Sequence, residues 1–201
     1  MRVVTTNVFQ FDELSDDAKE KAREWFRAGS LDYEWWDAVY DDAERIAEII
    51  GVEFSTRPVQ LMGGGIRRDP CIYFRMNSGN DGAGFDGYYS YAKGCAKKIR
   101  AYAPQDTELH SLVDSLVAEQ KTACYSLTAR IASCRDTSVS VSVDGECGHW
   151  NESAVEQALS DFVSWIYLRL RDEFEYRMSD ECVEEDIRAN EYEFDENGQR
   201  A

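Results

Sequence analysis

A chain of 201 residues with 43% hydrophobic and 12% aromatic content has the apolar surface for a packed core, which excludes a disordered or fibrous protein. Its 39 acidic against 22 basic residues leave a formal net charge of −17, a field that repels bare nucleic acid and anionic membranes and attracts basic partners. Six cysteines at wide, irregular spacings with no CxxC read as free thiols in a reducing cytoplasm, and no run approaches the roughly 18 apolar residues of a membrane span.

In chain order, Ser15 is a good helix N-cap followed by Asp16 and Asp17, with Leu14, Ala18, Ala22, Trp25 and Phe26 at helical spacing up to Gly29. A second helix is predicted from about Asp32, with Trp36, Val39, Tyr40, Ala43, Ile46, Ala47 and Ile50 on one face and Gly51 at its end. "VEFSTRPVQLM" reads as a strand weakened at Pro58, "CIYFRM" as a buried strand, and "GFDGYYSYA" as its partner across a glycine turn. Ala92, Cys95, Ala96, Ile99 and Tyr102 mark a short helix that stops before Pro104, and a further helix carries Leu109, Leu112, Val113, Leu116 and Val117. "YSLTARIAS" and "TSVSVSVDG" alternate as a hairpin with serines on a wet face. A long helix follows from Glu152, with Val155, Leu159, Phe162, Ile166 and Leu170 as its seam, and another begins near Ser179. The fold class is therefore α+β: an antiparallel sheet of four to five strands packed by several helices, with acidic helices near both termini. Residues 1–201 read as one domain, with 172–201 as an acidic C-terminal helical extension.

Residues 63–94 concentrate eight of the thirteen glycines, yet their motifs fall short of known chemistry. "MGGGIRRDP" leads toward a strand rather than a helix and lacks the GK[ST] ending of a phosphate loop. "NSGNDG" begins like a calcium loop but has Tyr88 where the bidentate glutamate belongs. Cys134, Cys147 and His149 are the nearest zinc set and lack a fourth ligand, and the two histidines sit in no nucleophile motif. No catalytic residue, metal or cofactor is assigned.

The charge is more informative. Residues 32–53 hold eight acids against one base and residues 172–196 twelve against two, while residues 54–171 balance at thirteen of each. Glu34, Asp37, Asp41, Glu44 and Glu48 recur at steps of three and four, which puts them on one helix face; such like-charge neighbours each cost about 0.2–0.5 kcal/mol. Trp35 lies off the main apolar face and is the candidate exposed anchor. With Glu181, Glu184, Glu185 and Asp186 from the second acidic segment, these residues form the candidate partner-binding set, an acidic and nucleic-acid-like surface.

"FDELSDDAKEKAREWF", "IYFRMNSGNDGAGFDGYYSYAKGCAKKIRAYAPQDTELH" and "ECVEEDIRANEYEFDENGQR" together resemble a family of small acidic bacteriophage and prophage proteins, some with antitoxin-like labels. "RMNSGNDG" departs from the aromatic, glutamine-containing turn of that family. The resemblance implies a phage context and a host-cell cytoplasm, and brings no catalytic residues. The expected function is a non-enzymatic accessory protein that binds and inhibits a host nucleic-acid-handling defence protein through the basic surface of that partner; a homo-oligomer is compatible. Two alternatives are a small-ligand or nucleotide-binding protein using the loops at 62–68 and 77–87, and an antitoxin-like partner of a basic toxin.

Overall fold

The computed structural model describes residues 7–29, 34–76, 79–134 and 137–201. Among them the elements run β1 (Phe9–Gln10), α1 (Asp16–Gly29), α2 (Asp37–Ile50), β2 (Val52–Phe54), β3 (Thr56–Gln60), β4 (Ile66–Pro70), β5 (Ile72–Arg75), β6 (Gly82–Phe85) and β7 (Gly87–Ser90). There follow α3 (Cys95–Tyr102), α4 (Thr107–Thr122), β8 (Thr128–Cys134), β9 (Ser138–Asp144), α5 (Glu152–Arg177), α6 (Asp180–Ala189) and β10 (Glu193–Phe194). The class is α+β, as expected. Residues 172–201 do not stand alone as an extension: with residues 1–36 they make one compact unit, and residues 37–171 make the other.

In the smaller unit the two ends of the chain fold on each other. β1 pairs antiparallel with β10, Phe9 opposite Phe194. Phe11, Leu14, Ala18 and Ala22 bury against Val183, Ile187 and Phe194, and Trp25 meets Tyr192 edge-on at 5.2 Å and Phe194 at 5.7 Å. The predicted Ser15 cap forms, Ser15 Oγ accepting from Ala18 N at 3.4 Å, and the helix expected to begin near Ser179 is capped by that residue, whose Oγ accepts from Cys182 N at 3.3 Å.

The larger unit is built on a four-stranded antiparallel sheet in the order β2-β7-β8-β9, with two further strand pairs, β3-β4 and β5-β6. The two strands expected at 52–62 and 84–92 are each broken, at Ser55 and Asp86, and a third break falls at Cys71. The three breaks meet. Ser55 N donates to Asp86 O at 2.8 Å, Asp86 N to Cys71 O at 3.0 Å, and Cys71 N to Ser55 O at 2.7 Å, a closed ring of backbone hydrogen bonds from which the three pairs β2-β7, β3-β4 and β5-β6 diverge. The Asp86 side chain reinforces the junction, accepting from Ser133 N at 2.7 Å and from Tyr73 Oη at 3.2 Å.

Close packing around this junction explains two glycines of the run. A Cβ on Gly84 would lie 2.7 Å from Ser138 O, and one on Gly87 would lie 2.5 Å from Glu53 O, so neither position has room for a side chain. β8 and β9 pair as the alternation predicts, Ala129 opposite Val143 and Ile131 opposite Val141, with Ser138, Ser140 and Ser142 exposed. The "CRD" turn between them falls partly outside the described residues.

Two polar residues tie the helices to this sheet. Asp106 caps α4 by accepting from Leu109 N at 3.0 Å, and its second carboxylate oxygen accepts from Trp165 Nε1 on α5 at 2.8 Å. Gln120, fully buried on α4, treats Leu127 as a strand neighbour would: its amide donates to Leu127 O at 2.8 Å and accepts from Leu127 N at 3.2 Å. Both backbone groups would otherwise be buried without partners.

Candidate acidic binding face

α2 begins at Asp37, later than the expected start near Asp32, which lies outside the described residues. Of its predicted inner face Tyr40, Ala43, Ile46, Ala47 and Ile50 are buried, Val39 is half-buried and Trp36, also half-buried, precedes the helix; Tyr40 Oη donates to Ile72 O at 3.2 Å. On α3, Tyr102 Oη donates to Asp42 Oδ1 at 2.5 Å, fixing the rotation of α2 at a second point.

That rotation turns Asp37, Asp41, Glu44 and Glu48 to solvent, all four exposed. Steps of three and four residues space them by about 4.5–6 Å along the helix axis. Asp41, Glu44 and Glu48 have no ion-pair partner among the described residues. Glu44 and Glu48 line an open groove of about 500 Å³ with Val52, Thr56, Ser90 and a third carboxylate, Glu53. Sequence reading had counted Glu53 only as charge. Its placement follows from the alternation in "VEF": burial of Val52 and Phe54 sends the residue between them to the other face.

The electrostatic consequence is visible at Glu44, whose pKa is raised above the ordinary 4.5 by partial burial first, then by Asp41 and Asp69. Because the folded chain holds that proton more tightly than the unfolded one, stability contributed at this site falls as pH rises through the folded pKa. Glu44→Gln is therefore expected to melt above the parent at neutral pH. The advantage should vanish below the ordinary glutamate value, where both side chains are neutral; melting curves across pH check this.

The remaining candidates belong to the smaller unit. Glu34 is exposed. Trp35 is not the expected exposed anchor: only 5% of its surface is exposed, and its ring meets Phe174 at 5.7 Å and Trp36 at 5.6 Å. The aromatic side chain gains more from that enclosure than from solvent. On α6, Glu184 is half-buried and accepts from Arg23 Nη1 at 2.7 Å and Arg188 Nη2 at 2.9 Å, so its charge is spent inside the unit. Glu181 and Glu185 are exposed, with no ion-pair partner among the described residues. Asp186, half-buried, borders a groove of about 620 Å³ with Trp25, Phe26, Tyr192 and Arg200.

The glycine loops build no enclosure at Gly63, Gly64 and Gly65, which form the exposed end of the β3-β4 hairpin; a Cβ on any of them would meet nothing within 4 Å. Arg67 pairs with Asp69 at 2.6 Å. Asn77, the first residue of the calcium-like stretch, lies outside the described residues. Among the described residues no three His, Cys, Asp or Glu side chains are grouped to hold a metal ion, and no helix is long and apolar enough to cross a membrane.

Residues 35–180 match the model of a domain of unknown function, DUF8835. No curated protein and no solved structure matches the chain.

Proposed function

We propose that this chain, which belongs to the DUF8835 family of unknown function, is a non-enzymatic binding protein whose α2 acidic face engages a basic, nucleic-acid-binding surface on a partner protein. The observation that carries this reading is the row Asp41, Glu44 and Glu48, exposed and without ion-pair partners among the described residues, beside a groove that Glu44 and Glu48 line and to which Glu53 adds a third carboxylate. An arrangement serving solubility alone would mix signs, since interspersed bases relieve the repulsion between like charges three and four residues apart. The opposite solution occurs in the same chain, where Arg23, Arg27 and Arg188 neutralise Glu20, Asp180 and Glu184.

The resemblance to acidic phage proteins supports an infected host-cell cytoplasm as the setting and inhibition of a host defence protein as the outcome. Exposed Glu181 and Glu185 on α6 supply further negative potential that steers a basic partner. Affinity capture from host lysate, run at about 0.05 M and about 0.5 M salt, tests the reading, because exposed charge pairs are strongly screened at the higher ionic strength. A discrete basic protein retained at low salt and lost at high salt is expected. Retention insensitive to salt contradicts an electrostatic interface.

A further inference from the structure

The acidic face leaves unused a pair of thiols in the larger unit. Of the six cysteines, Cys71, Cys95 and Cys182 are buried, whereas Cys124, Cys134 and Cys147 are exposed. Cys134 ends β8, opposite Ser138. Cys124 and Cys147, distant in sequence, meet where the turn after α4 touches the loop before α5.

Three unusual backbone conformations converge there. Cys124 (φ +54°) and Tyr125 (φ +61°) are consecutive non-glycine residues in the left-handed region, which side-chain-bearing residues rarely adopt. Local contacts hold them in place: Tyr125 N donates to Gln120 O at 2.6 Å, and the Tyr125 ring packs on Tyr91 at 4.7 Å. On the facing loop, Gly148 (φ +87°) sits so close that a Cβ would fall 2.1 Å from Thr122 O. That loop is fastened on both sides of Cys147, by Glu146 N donating to Ser126 Oγ at 3.2 Å and Asn151 N donating to Glu119 Oε2 at 2.7 Å.

The Cys147 thiol consequently lies inside the turn, donating to Ala123 O at 3.7 Å and 4.0 Å from Ser126 Oγ. The turn that carries Cys124 thus wraps the Cys147 sulfur, and the Cys147 thiol, first as a hydrogen-bond partner and then through its charge, pushes the Cys124 pKa up. Strained backbone of this kind, concentrated where two reactive groups meet, is a mark of a functional position.

We propose that Cys124 and Cys147 form an oxidisable dithiol, an exposed modification site that closes to a disulfide by exchange with a small-molecule disulfide such as oxidised glutathione. One protein thiolate attacks a glutathione sulfur, breaking the sulfur–sulfur bond and releasing one glutathione thiolate. The neighbouring thiolate then attacks the protein sulfur of the mixed disulfide and releases the second. The protein loses two electrons and two thiol protons, and one oxidised glutathione becomes two reduced ones. The new bond spans the β8-β9 hairpin and ties the end of α4 to the loop before α5.

The test equilibrates the full chain with glutathione at a series of oxidised-to-reduced ratios, alkylates the remaining thiols, and maps peptides by mass spectrometry. One linked peptide pair containing Cys124 and Cys147 is expected in monomeric protein, reversed by excess reduced glutathione, with melting raised by about 5–10 °C in the oxidised form. Cys124→Ser and Cys147→Ser should each stop at a mixed disulfide on the remaining thiol. The wild-type map decides the matter even if a variant folds poorly. The proposal is overturned if both thiols are alkylated or separately glutathionylated at excess oxidised glutathione, or if the linked partner is Cys134 or a second copy of the chain.

Discussion

Phe162→Ala is expected to destabilise the larger unit by about 3–5 kcal/mol, the largest single-residue effect on the fold. Phe162 is fully buried on α5 and joins three other rings: it stacks on Phe54 at 6.3 Å and on Trp165 at 6.2 Å, and meets Phe85 edge-on at 5.9 Å. Alanine would leave a cavity between a helix and strands that the hydrogen-bonded junction at Ser55, Cys71 and Asp86 holds in place, so the site has little freedom to collapse. Urea unfolding should show a lower midpoint with an unchanged slope. A loss under about 1 kcal/mol would show that α5 is not the support of this sheet. The proposed function is tied to the same contact: Phe54 is the neighbour of Glu53, so the ring cluster fixes the strand that forms one wall of the acidic groove.

Reversing Asp41, Glu44 and Glu48 together to lysine carries the largest expected effect on binding. Each reversal adds two charges, so the net charge of −17 rises by six, concentrated on one helix face. Like charges brought together at an interface cost several kcal/mol, so captured partner should fall by about a hundredfold or more. The fold should be kept. All three side chains are exposed, and substitutions at such positions usually change stability by no more than about 0.5 kcal/mol. The matched control is Glu181→Lys with Glu185→Lys in the smaller unit, which should slow association more than it weakens the complex. Binding lost equally in both variants would point to net charge rather than to the α2 face.

Where the physics is local, the sequence was sufficient. The Ser15 cap, the helix start near Ser179, the buried seam of α5 and the alternation of β8 and β9 are each encoded within a few residues of where they act, and each stands in the structure as read. The inner face of α2 and the exposure of its acids followed from the same periodicity. Relations distant in sequence were not legible. Trp35 looked like an exposed anchor because its enclosure depends on Phe174. The strand at 52–62 breaks at Ser55 and not at Pro58, where an edge or a break was suggested, and the strand at 84–92 looked continuous across Asp86, since each break is satisfied only by the other two members of the ring. Asp106 stood at the helix start "YAPQD", but its hold on Trp165 carried no sequence signal, and neither did the completion of the Leu127 backbone by Gln120. Glu184 was grouped with free acids because the arginine that engages it from α1, Arg23, lies at the far end of the chain.

The most direct measurement of the central claim is competition by duplex DNA for the captured partner at low salt. If the α2 face occupies a nucleic-acid-binding surface, added duplex should release the partner in a concentration-dependent way, and the triple lysine variant should capture none to release. A partner that stays bound at saturating duplex, or that the triple variant captures as well as the parent, contradicts the account.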